Sequence, residues 1–133
     1  MIPLSSPDIT EAERKAVLGV LKTPILSMGP RILAFEKGMA KLAGRKYAIA
    51  VNSGTSALHL ILSALGIGKG DEVIVPSFSF IASSNCILYV GAKPVFVDIE
   101  KDTFNIDPAK IEKAITKRTR AILAVDVFGE PAA

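Results

Sequence analysis

Apolar residues recur along this chain with two different periods, and the change of period marks out its elements. Thr10-Glu11-Ala12-Glu13 reads as a capping box, in which the Thr10 hydroxyl accepts from an early amide while Glu13 reaches back. The helix it opens keeps Val17, Leu18 and Leu21 on one face and ends before Pro24. Gly29-Pro30 starts a second helix with proline at its first position, Ile32, Phe35, Met39 and Leu42 recur at helical spacing, and Gly44 supplies the stop. From Lys46 the texture changes. Short apolar runs at Tyr47–Val51, Glu72–Val75, Pro94–Val97 and Ala121–Val127 predict strands. Between them, helices are expected over about Ser56–Leu65, Ile81–Val90 and Pro108–Ile115, the last with Asp107 as its N-cap. Gly68–Asp71 and Phe128–Pro131 read as turns, and Pro76–Phe80 as a loop. Strands alternating with helices in this way predict an α/β fold: a mostly parallel sheet with helices on both faces, joined by right-handed crossovers. Residues 1–44 read as a helical lead-in and residues 45–133 as an incomplete α/β domain.

Composition changes this picture little. A chain of 133 residues suits one domain, and half of its residues are hydrophobic. That share fits a parallel sheet covered on both faces, or faces meant to be covered by chain or partner outside these residues. No apolar run approaches the ~20 residues of a membrane span, so none is expected. The net charge of +3 is spread out. Its densest stretch, Lys110–Arg120, contains Glu112 and no interleaved aromatics, so it reads as a solvated helix face and not as a nucleic-acid footprint. The single cysteine, Cys86, excludes an internal disulfide, suits a reducing cytoplasm and reads as a small apolar filler. Met1–Ser5 carries no basic segment ahead of an apolar core, so no secretory signal is expected.

In an open α/β sheet, ligands bind beyond the carboxyl ends of the strands. Asn52–Ser56, Pro76–Phe80 and Phe128–Glu130 end there. Ser53-Gly54-Thr55-Ser56 leads directly into a helix. Gly54 permits close backbone approach, and the Thr55 and Ser56 amides, with two hydroxyls beside them, are unpaired donors at a helix start. That is an anion site, or simply a well-capped helix. No Gly-Lys-Ser/Thr follows at Walker A distance, and the second and third glycines of a dinucleotide fingerprint are missing. Phe78 and Phe80 lie two apart at the same edge. Phe78 reads as core, while Phe80 could lie over a flat heteroaromatic ring. His59, one turn into the helix, reads as a packing or interface residue.

Taken together, in order and spacing, these segments resemble the DegT/StrS-like sugar aminotransferases, fold-type I enzymes that depend on pyridoxal 5'-phosphate. The likeness runs from Gly29 and Phe35-Glu36 through Tyr47–Leu58, Gly68–Phe80, Gly91–Asp98 and Asn105–Asp107 to Thr119–Ala132. It implies that the α/β part belongs to the large, cofactor-binding domain. It implies that Thr55 and Ser56 help hold the cofactor phosphate, that Gly54 permits the approach, and that Phe80 stacks on the pyridine face. It also implies a homodimer with composite active sites, in which the Gly29 loop lies near the substrate. The reaction implied is transfer of an amino group from an amino acid, commonly glutamate, to a nucleotide-linked keto sugar, in cell-surface polysaccharide or amino-sugar biosynthesis.

The pattern departs from the family at Asp126, where histidine is more frequent, and at Glu130, where glutamine is usual. The resemblance places the Schiff-base lysine and the acid that pairs with the pyridine nitrogen further along the family sequence than Ala133. No catalytic residue is therefore expected here, and the 133 residues alone are expected to be inactive. None of Lys46, Lys69, Lys93, Lys110, Lys113 or Lys117 reads as placed to meet a ring on Phe80. The alternative reading is a truncated, non-catalytic binding, assembly or regulatory module of the same fold.

Overall fold

The structure, a computed structural model, describes residues 6–133. The Met1–Ser5 segment, read above for a secretory signal, lies outside the described residues. Its elements are α1 (Glu11–Leu21), α2 (Pro30–Leu42), α3 (Gly54–Ala64), β1 (Glu72–Pro76), α4 (Ala82–Tyr89), β2 (Lys93–Val97), α5 (Pro108–Ala114) and β3 (Thr119–Ile122). The chain divides into two compact units, with the boundary between Ala50 and Val51.

In the first unit the capping box forms as the sequence dictates. The Thr10 amide donates to Glu13 Oε2 at 2.6 Å, the Ala12 amide donates to Thr10 Oγ1 at 3.2 Å, and the Thr10 hydroxyl is also bonded to Glu13. The apolar face of α1 is uncovered: Val17, Leu18 and Leu21 are all more than half exposed. In α2 only Ala40 is buried. The strand expected over Tyr47–Val51 is not formed as a ladder: the segment pairs with no strand among the described residues. A strand exists only through a neighbour, and here the Ala50 amide donates instead to Glu36 Oε1 at 2.9 Å.

The second unit is built around β1. Its three central residues, Val73, Ile74 and Val75, are fully buried, as a strand covered on both faces requires. It lies between β2 and β3 in the order β2-β1-β3, and both pairings are parallel. Alternation along β1 sorts the core into two layers. Val73 and Val75 face α3 and α4, packing with Leu62, Cys86 and Ile87. Ile74 faces the other way, with Val95, Val97, Ile106 and Ile111 on the side of α5. Helices on both faces of a parallel sheet are the expected architecture. Pro94 is tolerated because β2 is an edge strand. Gly66 and Gly91, both at positive φ, end α3 and α4 and turn the chain toward the amino ends of β1 and β2. The expected fourth run, Ala121–Val127, pairs over Thr119–Ile122, and the Leu123 amide adds one further bond to the Ile74 carbonyl at 2.8 Å. Beyond that point it pairs with no strand among the described residues, so the strand is shorter than its apolar run. No helix among the described residues is long and apolar enough to cross a membrane.

At the amino edge of the sheet, Glu72 is buried and closes a network that joins β1 to β2 and to the residues just before β3. Its carboxylate accepts from Thr116 Oγ1 and Arg118 Nη2, both at 2.6 Å, and lies 3.9 Å from Lys93 Nζ. The Thr116 hydroxyl first, and Arg118 after it, hold the Glu72 carboxyl below the ordinary value of 4.5. The folded state therefore binds this proton less readily than the unfolded chain. The stability involved is present above the ordinary value and lost as pH falls through the lower folded value. Glu72→Gln is expected to lower the melting temperature at neutral pH and to flatten its decline below about pH 4.5, the ordinary value. Melting curves of both chains between pH 7 and pH 2 check this, and parallel acid limbs would contradict it.

Candidate cofactor site

The carboxyl edge of the sheet collects the segments the sequence singled out. Both α3 and α4 run back from this edge toward the amino edge, because each leads, through Gly66 or Gly91, into the start of the next strand. They pack side by side, with the His59 ring edge-on to Tyr89 at 5.6 Å, so both helices begin at the edge where β1 ends. His59 is a packing residue, as expected.

At the start of α3, Ser53 is an N-cap in extended conformation, and its Oγ accepts the Ser56 amide at 3.1 Å. The Ser53 carbonyl accepts from Ala57. The Gly54 and Thr55 amides donate to no acceptor among the described residues. This amends the expectation: the free donors at this helix start are those of Gly54 and Thr55, while that of Ser56 is taken by the cap. The Ser56 hydroxyl donates to Asn52 Oδ1 at 2.7 Å and lies 3.0 Å from Ser53 Oγ. Asn52 and Ser53, which sequence reading passed over as ligand-edge loop, thus set the side chain of Ser56. A capping Ser three residues before a second Ser was the available signal. Gly54 is the first residue of α3 and not at positive φ, so the close-approach argument alone applies to it. A Cβ built there would meet nothing within 4 Å.

After β1, Phe80 stands at the same edge with 77% of its surface exposed. Phe78, read as core, is half-exposed and belongs to a surface cluster with Phe104 and Phe128. Asp98, just past β2, has its carboxyl held low by the Ile99 amide and by Lys110. The Lys110 ammonium lies 3.2 Å from Asp107 Oδ2 and 3.3 Å from Asp98 Oδ2, and the two carboxylates push its pKa up. Lys110 therefore reaches nearer this edge than its place on a helix suggested, yet it is clamped as a cation and is no free amine. Lys93 lies at the opposite edge, beside Glu72, and Lys69 stands in the turn leading into β1. Cys86 is buried, its thiol donates to the Ser83 carbonyl, and burial pushes its pKa up, as an inert filler requires. No cluster of three or more metal-binding side chains is present among the described residues.

A cavity of about 580 Å³ belongs to the first unit, at the connection between α1 and α2. Its lining is mostly apolar, with Arg31 its one charged side chain, so it lacks the donor set found at the start of α3. The residues at that start fit a phosphate monoester: two unpaired amides at the positive end of a helix, an adjacent Thr55 hydroxyl, and no side chain at Gly54.

The chain matches the DegT/DnrJ/EryC1/StrS aminotransferase family over residues 7–133. It is 51% identical over 130 residues to GDP-perosamine synthase of Caulobacter vibrioides, covering 97% of this chain and 35% of that protein. It is 46% identical over 129 residues to the spore coat polysaccharide biosynthesis protein SpsC of Bacillus subtilis, covering 97% of this chain and 33% of that one. Among solved structures, a Streptococcus pneumoniae protein classed among the sugar aminotransferases superposes with a TM-score of 0.92 at 42% identity. That match covers 98% of this chain and 33% of the other, which has been solved in PMP and PLP forms. The chain spans about a third of the length of the relatives it matches. The likeness bears out the expected fold-type I α/β architecture, and the chain belongs to the DegT/DnrJ/EryC1/StrS aminotransferase family.

Proposed function

We propose that these residues are the N-terminal part of a pyridoxal-phosphate-dependent aminotransferase. It transfers an amino group from an amino acid, glutamate by the family resemblance, to a nucleotide-linked keto sugar in cell-surface polysaccharide or amino-sugar biosynthesis. Residues 1–44 are the helical lead-in and residues 45–133 part of the cofactor-binding domain. The enzyme is a cytoplasmic homodimer. When bound, the cofactor supplies an electron-accepting ring for amino-group transfer. The amides of Gly54 and Thr55 and the hydroxyls of Thr55 and Ser56 receive its phosphate, and Phe80 covers one face of its ring and keeps water from it. The single observation that supports this reading is the pair of unpartnered amides at the start of α3, at the edge where an exposed Phe80 also stands.

Titration of this chain with pyridoxal 5'-phosphate and, separately, with inorganic phosphate tests the reading. Saturable, non-covalent binding of both is expected. Phe80→Ala is expected to weaken the first by roughly three- to tenfold, the worth of one stacked ring, and to leave the second unchanged. Absence of saturable binding, or equal losses for both ligands, would count against it.

A further inference from the structure

Among the described residues Phe128 is the most exposed of the large apolar side chains, at 88%, and its backbone is in the left-handed region, φ 53°. A bulky residue adopts that conformation only where its surroundings dictate it. The turn is held by its own backbone, Gly129 amide to Asp126 carbonyl and Glu130 amide to Val127 carbonyl, and by Asn105, which is buried: its Oδ1 accepts the Val127 amide and its Nδ2 donates to the Glu130 carbonyl, both at 2.9 Å. One side chain thus closes the turn from both ends and fixes Phe128 at its apex. Burial of the ring cannot be what the arrangement gains. What the ring does is meet two others, with centroids 6.4 Å from Phe78 and 6.3 Å from Phe104, which themselves stand 5.7 Å apart. Phe104 is also at positive φ and precedes Asn105 in the chain. The three rings come from the three connections that follow β1, β2 and β3. Phe78 is two residues before Phe80, in a loop also tied by the Ser77 amide to the Val97 carbonyl at 2.8 Å, the Ser79–Ser83 hydroxyl pair at 2.6 Å and the Ser83 amide to the Phe80 carbonyl at 3.0 Å.

We propose that Phe128, held in place by Asn105, is a positioning residue: through Phe78 it orders the Ser77–Phe80 loop and so sets the ring of Phe80 for stacking. This rests on the reading of Phe80 given above, but the ordering of the loop can be measured without any ligand.

The test compares the chain with Phe128→Ala and Phe128→Tyr. In the absence of ligand, exchange of the Ser77 amide, the hydrogen-bonded one in the loop, is expected to quicken in Phe128→Ala, while exchange in β1 stays unchanged. Binding of pyridoxal 5'-phosphate is expected to weaken by roughly three- to tenfold, up to the full value of the stacked ring, with inorganic phosphate unaffected. Phe128→Tyr keeps the ring and is expected to restore both. Unchanged exchange of the Ser77 amide in Phe128→Ala would overturn the proposal. So would faster exchange spread across β1 with equal loss of both ligands, which is what a merely structural residue gives. If the unaltered chain binds no pyridoxal 5'-phosphate, the reading of the site fails, and the exchange comparison still decides whether Phe128 orders the loop.

Discussion

Ile74→Ala is expected to destabilise the second unit by about 2–5 kcal/mol, the range for truncating a fully buried isoleucine. Ile74 has no exposed surface and is the only residue of the central strand on the α5 side of the sheet among those forming that cluster. Its buried partners there are Val97 and Ile106, with Val95, Ile111 and Ala114 only partly covered. So thin a layer has little material with which to refill the space left by the three carbons removed. The opposite layer, where Val73 and Val75 share Leu62, Ile67, Cys86 and Ile87, has more. Set against the ~5–15 kcal/mol of a whole domain, the loss is a large fraction of the total. In a unit of this size it corresponds to a fall in melting temperature of about 10 °C or more. Urea unfolding followed by circular dichroism checks this, and a change below about 1 kcal/mol would mean that this face relaxes freely or is not packed as described.

Local signals in the sequence carried the reading as far as local physics reaches. The Thr10–Glu13 box, Pro30 at a first helical position and the Asp107 cap of α5 depend on neighbours within four residues, and all formed as expected. The buried strand Glu72–Pro76 was legible because two covered faces leave an uninterrupted apolar run. Tyr47–Val51 is also apolar throughout yet has no ladder, since a strand is defined by a partner that its own residues do not specify. The far half of Ala121–Val127 failed for the same reason.

At the candidate site, residue types were legible and hydrogen-bond assignments were not. Ser53 and Ser56 both read as polar residues near a helix start, and only coordinates show that one consumes the amide of the other. Phe78 read as core because an apolar ring two residues past a buried strand ordinarily is. The three-ring cluster depends on Phe104, unremarked there, and on Phe128, read there only as part of a turn at the ligand edge, both distant in sequence. Lys110 was placed on a charged helix face, and its clamp by Asp98 and Asp107 reflects where α5 begins relative to the end of β2.

The second large effect concerns the start of α3. Thr55→Ala with Ser56→Ala removes both hydroxyls while the free amides of Gly54 and Thr55 remain. A hydrogen bond to a charged group contributes about 1.5–3 kcal/mol, so losing the Thr55 hydroxyl alone should weaken phosphate binding about tenfold or more. Ser56 adds less, because its proton is already given to Asn52. The pair together should lose about 10- to 100-fold, for inorganic phosphate and for pyridoxal 5'-phosphate alike. The fold should be little changed, since the N-cap itself is Ser53.

The central claim, that the start of α3 holds the cofactor phosphate, is tested most directly at the two amides themselves. In a titration of this chain with pyridoxal 5'-phosphate followed by backbone NMR, the Gly54 and Thr55 amide protons are expected to move downfield together and to saturate. Inorganic phosphate should compete for them, and the doubly substituted chain should require about 10- to 100-fold more ligand for the same shift. Saturable binding that leaves Gly54 and Thr55 unmoved, with the shifts falling instead at Lys69, Lys93 or Lys110, would contradict it.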